Sequence, residues 1–239
     1  MNEYNNYNMY NNAINAEALK ARNEALAQQT MIKTYLFMFL VTIISGISAV
    51  ISYYSGYFAA IQQSGTWWIF VGIELAVVFI CSRSAVKNNT VLAGILLFVY
   101  SIVNGVTLAS IFYTYSLKSI LGLFFVAAGM FGALAVYGVI TKKDMSTIGR
   151  IGYMGLIGVI LLTICNLFFL KSTGLDLALS VFGLALFVGI TAYDAQMIRD
   201  LAYDKDNLSS NSIAIIGALN LYLDFVNIFL YLLEIFGDD

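Results

Sequence analysis

The stretch from Ile213 to Phe236, IAIIGALNLYLDFVNIFLYLLEIF, decides the fold. As a helix it rises about 36 Å at 1.5 Å per residue, enough to cross a hydrocarbon core about 30 Å thick. The charge at its middle is Asp224. A carboxylate at the bilayer centre costs roughly 2.5–3.5 kcal/mol on insertion scales, so its retention there calls for an explanation. The rest of the chain repeats the apolar pattern. Of its 239 residues 60% are hydrophobic and 11% charged, and the mean hydropathy is +0.83. Soluble domains run at about 45–50% apolar and about 25% charged. The excess needs apolar solvent, which predicts an all-α integral membrane protein.

Working back from span seven, six further segments are long and apolar enough to cross: about 34–55, 66–82, 90–113, 119–140, 148–170 and 176–198. Short polar breaks separate them, which makes neighbouring spans antiparallel hairpins. Residues 31–239 therefore read as one seven-helix transmembrane domain. Residues 1–30 read as a polar, Asn-rich cytosolic tail, partly disordered at MNEYNNYNMYNN and a short polar helix at AINAEALKARNEALAQQ. The tail lacks the basic start and apolar core of a signal peptide.

Ten of the twelve Lys and Arg residues fall on one side of this arrangement. They are Lys20, Arg22 and Lys33 before span one, Arg83 and Lys87 after span two, Lys142, Lys143 and Arg150 after span four, and Arg199 and Lys205 after span six. Lys118 and Lys171 lie on the other. The positive-inside rule then puts the N-terminus inside and, with seven spans, the C-terminus outside. Trp67 and Trp68 fall at the outer start of span two, where an aromatic belt is expected.

Three carboxylates lie within the spans: Glu74 in span two, Asp194 late in span six and Asp224 midway along span seven. Glu234, near the outer end, reaches the headgroups. Spans six and seven form a hairpin, which brings Asp194 and Asp224 together in the cytosolic half. Two acids in one poorly polarisable site cannot both ionise cheaply, so they are expected to share a proton. The plain alternative has each Asp capping backbone or pairing with a basic side chain. Arg83 is nine residues, two and a half turns, after Glu74, so the two point to opposite faces. Arg83 instead anchors the cytosolic surface or reaches an acid on another helix.

Several functions are excluded. There is no histidine, so histidine-ligated metals and Ser-His or Cys-His catalysis cannot occur. Cys81 and Cys165 are too few for a disulfide scaffold and read as buried small hydrophobes. With a net charge of −2 there is no basic field for nucleic acid. Asp204-Lys205-Asp206 opens like a calcium loop, but Leu208 fills the next ligand position and no glycine follows. Asn88-Asn89-Thr90 and Asn207-Leu208-Ser209 fit the glycosylation pattern but lie in loops assigned to the cytosol. Spans six and seven hold no lysine for retinal. Neither Asp194 nor Asp224 follows the glycine typical of membrane aspartyl proteases, and an enzyme is not expected. Ala128 with Gly132, and Gly152, Gly155 and Gly158, read as close-packing faces. Without proline, a bend in a span is expected at Gly, Ser or Thr.

Three stretches resemble the Bax inhibitor-1 family, in particular its bacterial branch. They are Tyr137-Gly138-Val139-Ile140-Thr141-Lys142-Lys143-Asp144-Met145-Ser146, Ala192-Tyr193-Asp194-Ala195-Gln196-Met197-Ile198, and Ala218 to Phe229 (ALNLYLDFVNIF). The second is similar to the family's aromatic-Asp-x-Gln-x-Ile element, and the resemblance covers about residues 30–237. It implies a seven-helix bundle with the last helix central. Some members are pH-sensitive calcium leak channels in which an Asp of that element and an Asp of the last helix form a hydrogen-bonded pH sensor. Those positions match Asp194 and Asp224. The family's acidic and basic residues on its second helix are matched by Glu74 and Arg83 as auxiliary charge partners.

The expected function is a passive calcium leak gated by the Asp194–Asp224 pair, with calcium as the permeant ion and no cofactor. Its setting would be the lipid bilayer of a bacterial plasma membrane, and its two aspartates would offer transient hard-oxygen ligands to the ion. Asn104, Asn220 and Asn227 line a path or lace helices together. The direction of gating stays open. Deprotonation opens the pair by repulsion, whereas acidification frees a carboxyl from Arg83. The alternatives are a non-conducting regulator that docks on another membrane protein, such as a protease, and a proton-coupled transporter.

Overall fold

A computed structural model describes residues 2–203 and 208–238, with side chains from Ile14 onward. Asp204-Lys205-Asp206 and Asn207 lie outside the described residues. The helices are α1 (Asn2–Tyr54), α2 (Tyr57–Gln63), α3 (Trp67–Val86), α4 (Thr90–Leu108), α5 (Ile111–Thr114), α6 (Leu117–Ile140), α7 (Ser146–Cys165), α8 (Thr173–Tyr203) and α9 (Ser210–Phe236), with a π-helical turn at Asn166–Leu170. Seven of these segments are long and apolar enough to cross a membrane. They are α1, α3, α4 with α5, α6, α7 with its π turn, α8 and α9, in agreement with the seven spans read from the sequence.

Local chemistry sets the boundaries. The side chains of Asn89, Ser116 and Ser209 accept hydrogen bonds from the backbone amides of Leu92, Ser119 and Ser212, satisfying donors that the first turns of α4, α6 and α9 leave over. Lys171 adopts a left-handed conformation (φ 50°) that ends the π turn. The Asn166 amide donates to the Ser172 carbonyl at 2.9 Å and to Asp176 at 2.5 Å, tying the α7–α8 connection.

α1 includes the polar helix expected for the second half of the tail. It runs unbroken across residue 30, because residues 13–30 contain no Gly or Pro and are rich in Ala, Leu, Glu, Lys, Arg and Gln, all strong helix formers. Ala27 and Thr30 are the first described residues to be buried.

α9 occupies the middle. In its most apolar stretch 72% of residues are buried inside the bundle, against 11–39% for the other six spans. It packs on α8, α1, α6, α3 and α4. Close approach explains two glycines. A Cβ on Gly138 would overlap the Ala192 carbonyl oxygen, and one on Gly149 would overlap the Tyr193 ring. These contacts dock α6 and α7 on the segment of α8 that carries Asp194. Of the small residues expected to pack, Gly152 and Gly155 meet Ile190 and Leu186, but Gly132 and Gly158 face open space. Cys81 is buried as expected, whereas Cys165 is exposed.

One end of the bundle gathers basic side chains. Lys33 donates to Asn211 at 2.9 Å, Asn88 accepts from the Ser209 amide at 2.8 Å, and Arg199 reaches carbonyls at the end of α6. The loops at 87–89 and 141–145 and the start of α9 therefore share one face of the molecule.

Candidate functional site: a buried aspartate pair

Asp194 and Asp224 are 1% and 3% exposed, among the most deeply buried polar residues of the bundle. α8 and α9 set them against each other closely enough for the charge of Asp194 to act on Asp224. Among the described residues no basic side chain joins them. Among the described residues the ion pair is Arg199–Asp200, at 2.7 Å. Arg83 lies exposed, and the pairing considered for it with a carboxylate is not made.

The two carboxyls have unlike partners. The Tyr153 hydroxyl, from α7, stands 2.8 Å and 2.9 Å from the two oxygens of Asp194. Asp224 lies beside Thr191 of α8, while its Oδ2 is buried with no hydrogen-bond partner among the described residues. Neither Tyr153 nor Thr191 was evident from the sequence. A phenol one turn after Gly149, and so on the same helix face, was the available signal for Tyr153.

The rest of the aromatic-Asp-x-Gln-x-Ile element works on the neighbouring loop. Gln196 accepts from the Met145 amide and donates to the Lys143 carbonyl, both at 2.8 Å. Arg199 donates to the carbonyls of Val139 and Thr141 at 2.7 and 3.0 Å, capping α6 from α8. In that loop the hydroxyl and amide of Ser146 hold the Asp144 carboxyl below its ordinary pKa. Two of the three quoted stretches thus meet, one clamping the other.

Glu74 lies elsewhere, on a cavity of about 460 Å³ lined also by Gln62, Asn104, Thr107 and Ser110. Thr107 donates to Glu74 at 2.6 Å, and its hydroxyl also lies 2.8 Å from the Asn104 carbonyl. Asn104 Oδ1 and Ser45 Oγ each lie 2.7 Å from the Tyr222 hydroxyl. Because Asn104 Oδ1 only accepts, the tyrosine proton goes there and Ser45 donates. This network laces α1, α3, α4 and α9, the lacing expected of Asn104. Asn227 instead bonds to the Leu223 carbonyl of its own helix.

The family described as "Inhibitor of apoptosis-promoting Bax1" matches residues 27–239. The chain belongs to the Bax inhibitor-1 family. The Bax inhibitor-1 match begins where α1 joins the bundle, at buried Ala27. Similar proteins include the inner membrane protein YbhL of Escherichia coli, 42% identical over 69% of this chain and 71% of its own length. An uncharacterized protein of Borreliella burgdorferi is 38% identical over 74% of this chain and 76% of its own. An uncharacterized Rickettsia prowazekii protein is 35% identical over 87% and 89%. This Bax inhibitor-1 protein is accordingly a multi-pass, all-helical membrane protein.

Proposed function

We propose that this protein is a passive, pH-sensitive calcium leak of a bacterial plasma membrane, oriented with the 141–145 loop in the cytosol. The observation that carries the reading is a pair of buried carboxyls, on two helices of a membrane bundle, with no basic side chain paired to them among the described residues. With one proton between them the pair holds α8 against the central helix. Loss of that proton sets like charges together; at about 4 Å and an effective dielectric near 20 they repel by about 4 kcal/mol. That is comparable with the few kcal/mol separating two conformers of a switch. The opened carboxylates are hard ligands suited to calcium. Arg83, exposed and with no ion pair among the described residues, favours opening by deprotonation over release of a carboxyl from Arg83. Glu74, facing its cavity from the half of the bundle away from that loop, would draw cations toward the path.

The test is calcium flux into liposomes holding the purified protein, scanned over pH beside Asp194→Asn and Asp224→Asn. The gate predicts flux that rises with pH in the wild type and ignores pH in both variants. Absence of calcium movement at every pH refutes the leak. One observation favours a second reading, a regulator docking on another membrane protein: α1 begins well before the family match, and residues 14–25 of it are exposed. Deleting residues 1–26 leaves a leak intact and abolishes docking.

A further inference from the structure

The cavity beside Glu74 is walled by aromatic rings. Gly56 and Gly65, left-handed at φ 70° and 69°, let the chain turn on either side of the short helix α2. Phe58 and Gln62 of α2 then line the cavity of about 460 Å³ together with Trp67, Phe70 and Glu74 of α3 and Thr107 of α4. Trp67, Phe70 and Glu74 are three and four residues apart, so they share one face of α3. The tryptophan and the acid are separated by about 10 Å along the helix axis. Neighbouring rings brace the walls: Phe70 meets Tyr57 edge-on at 6.5 Å between ring centres, and Phe58 meets Tyr113 at 5.7 Å. The volume falls in the range of small-molecule sites, about 300–1,000 Å³.

A carboxylate can accept about four hydrogen bonds, and Thr107 supplies one. Among the described residues no basic side chain pairs with Glu74, so a cation entering the cavity meets an acid that the protein does not neutralise. The surroundings choose the kind of cation. Calcium takes six to eight oxygen ligands, whereas among the described residues no three of His, Cys, Asp and Glu gather to hold a metal. Rings line the cavity instead, and ring faces attract organic cations while covering their hydrocarbon. We propose that this cavity is a binding site for a small organic ammonium ion. Its N–H groups donate to Glu74, and its apolar body lies against Phe58, Trp67 and Phe70. The site is separate from the aspartate pair and does not rest on the leak reading.

Trp67 can report the occupant. The chain has 2 tryptophans, Trp67 and Trp68, so Trp68→Phe leaves Trp67 as the reporter. The full chain in detergent at neutral pH would be titrated with cyclohexylammonium, which does not absorb where tryptophan is excited. A saturable change in Trp67 emission is expected, and cyclohexanol, the uncharged counterpart, should give none at the same concentrations. Glu74→Gln keeps the shape of the side chain and removes its charge, and should weaken amine binding about tenfold or more. Calcium should displace the amine no better than sodium at equal ionic strength. Absence of a saturable change, an equal response to cyclohexanol, undiminished binding in Glu74→Gln, or displacement specific to calcium would each overturn the site. If Glu74→Gln fails to fold, the amine–alcohol comparison and the calcium competition still decide, because both use the chain with Glu74 in place. Calcium flux is read separately in liposomes. Amine binding without flux removes the leak and keeps the site, and flux without amine binding does the reverse.

Discussion

The bundle holds two carboxyl sites, and they are built in opposite ways. Asp194 and Asp224 are sealed between α7, α8 and α9, with one buried oxygen left unpartnered. Glu74 is hydrogen-bonded by Thr107 and opens onto a cavity of about 460 Å³. The first site leaves part of its hydrogen-bonding capacity unmet, so a change of protonation there disturbs packing. The second is hydrogen-bonded by Thr107 and borders a cavity. The central helix stands between them. Tyr222 faces Ser45 and Asn104, and Asp224, two residues or about 200° further round, faces α8. One class of side chain is thus buried and underpaired at one site, and hydrogen-bonded beside a cavity at the other.

The contrast breaks most sharply at the pair. Asp194→Asn and Asp224→Asn should each abolish the pH dependence of flux, whereas Glu74→Gln should lower flux several-fold at every pH without moving its midpoint. A midpoint shift in Glu74→Gln would show that the two sites are one.

The next largest effect concerns packing beneath the pair. Gly149→Leu drives a side chain into the Tyr193 ring, and overpacking of this kind costs about 1–3 kcal/mol. Gly158→Leu, on the open face of the same helix, should cost little. Thermal unfolding in detergent would compare them, and equal losses would show that α7 does not use Gly149 to dock on α8.

Gln196→Ala removes the clamp on the 141–145 loop and strands the buried Met145 amide, at about 1–3 kcal/mol. Amide hydrogen exchange should rise at Met145 and neighbouring loop residues before it rises in α9. Uniform exchange across both would mean that the loop and core open together.

Asp144 gives the smallest effect. Its carboxyl is held below the ordinary value of about 3.9, so its contribution to loop order is complete at neutral pH and is lost as pH falls through its lowered folded value. Asp144→Asn should speed exchange in the loop at neutral pH and erase the difference in strongly acid solution. A difference that persists in acid would assign the effect to something other than charge.

Much of this was legible without coordinates. The seven spans follow from apolar length, and the cost of an intramembrane charge singles out Glu74, Asp194 and Asp224 wherever the helices pack. The hairpin of spans six and seven already suggested that two of those acids would meet. The sequence did not show which face of each helix turns inward. Gly155 packs and Gly158 does not, although both lie on α7 three residues apart, because rotation about a helix axis is set by its neighbours.

The sequence by itself determined the membrane-spanning helices, the asymmetry of basic residues and the family motifs, because these depend on composition and local order along the chain. Tertiary structure decided the partners: Tyr153 on Asp194, Thr191 beside Asp224, Gln196 on a loop about fifty residues away, and Arg83 on none of them. Hydrogen bonds are short and directional, and which proton meets which oxygen is fixed only when the helices have chosen their rotations and depths.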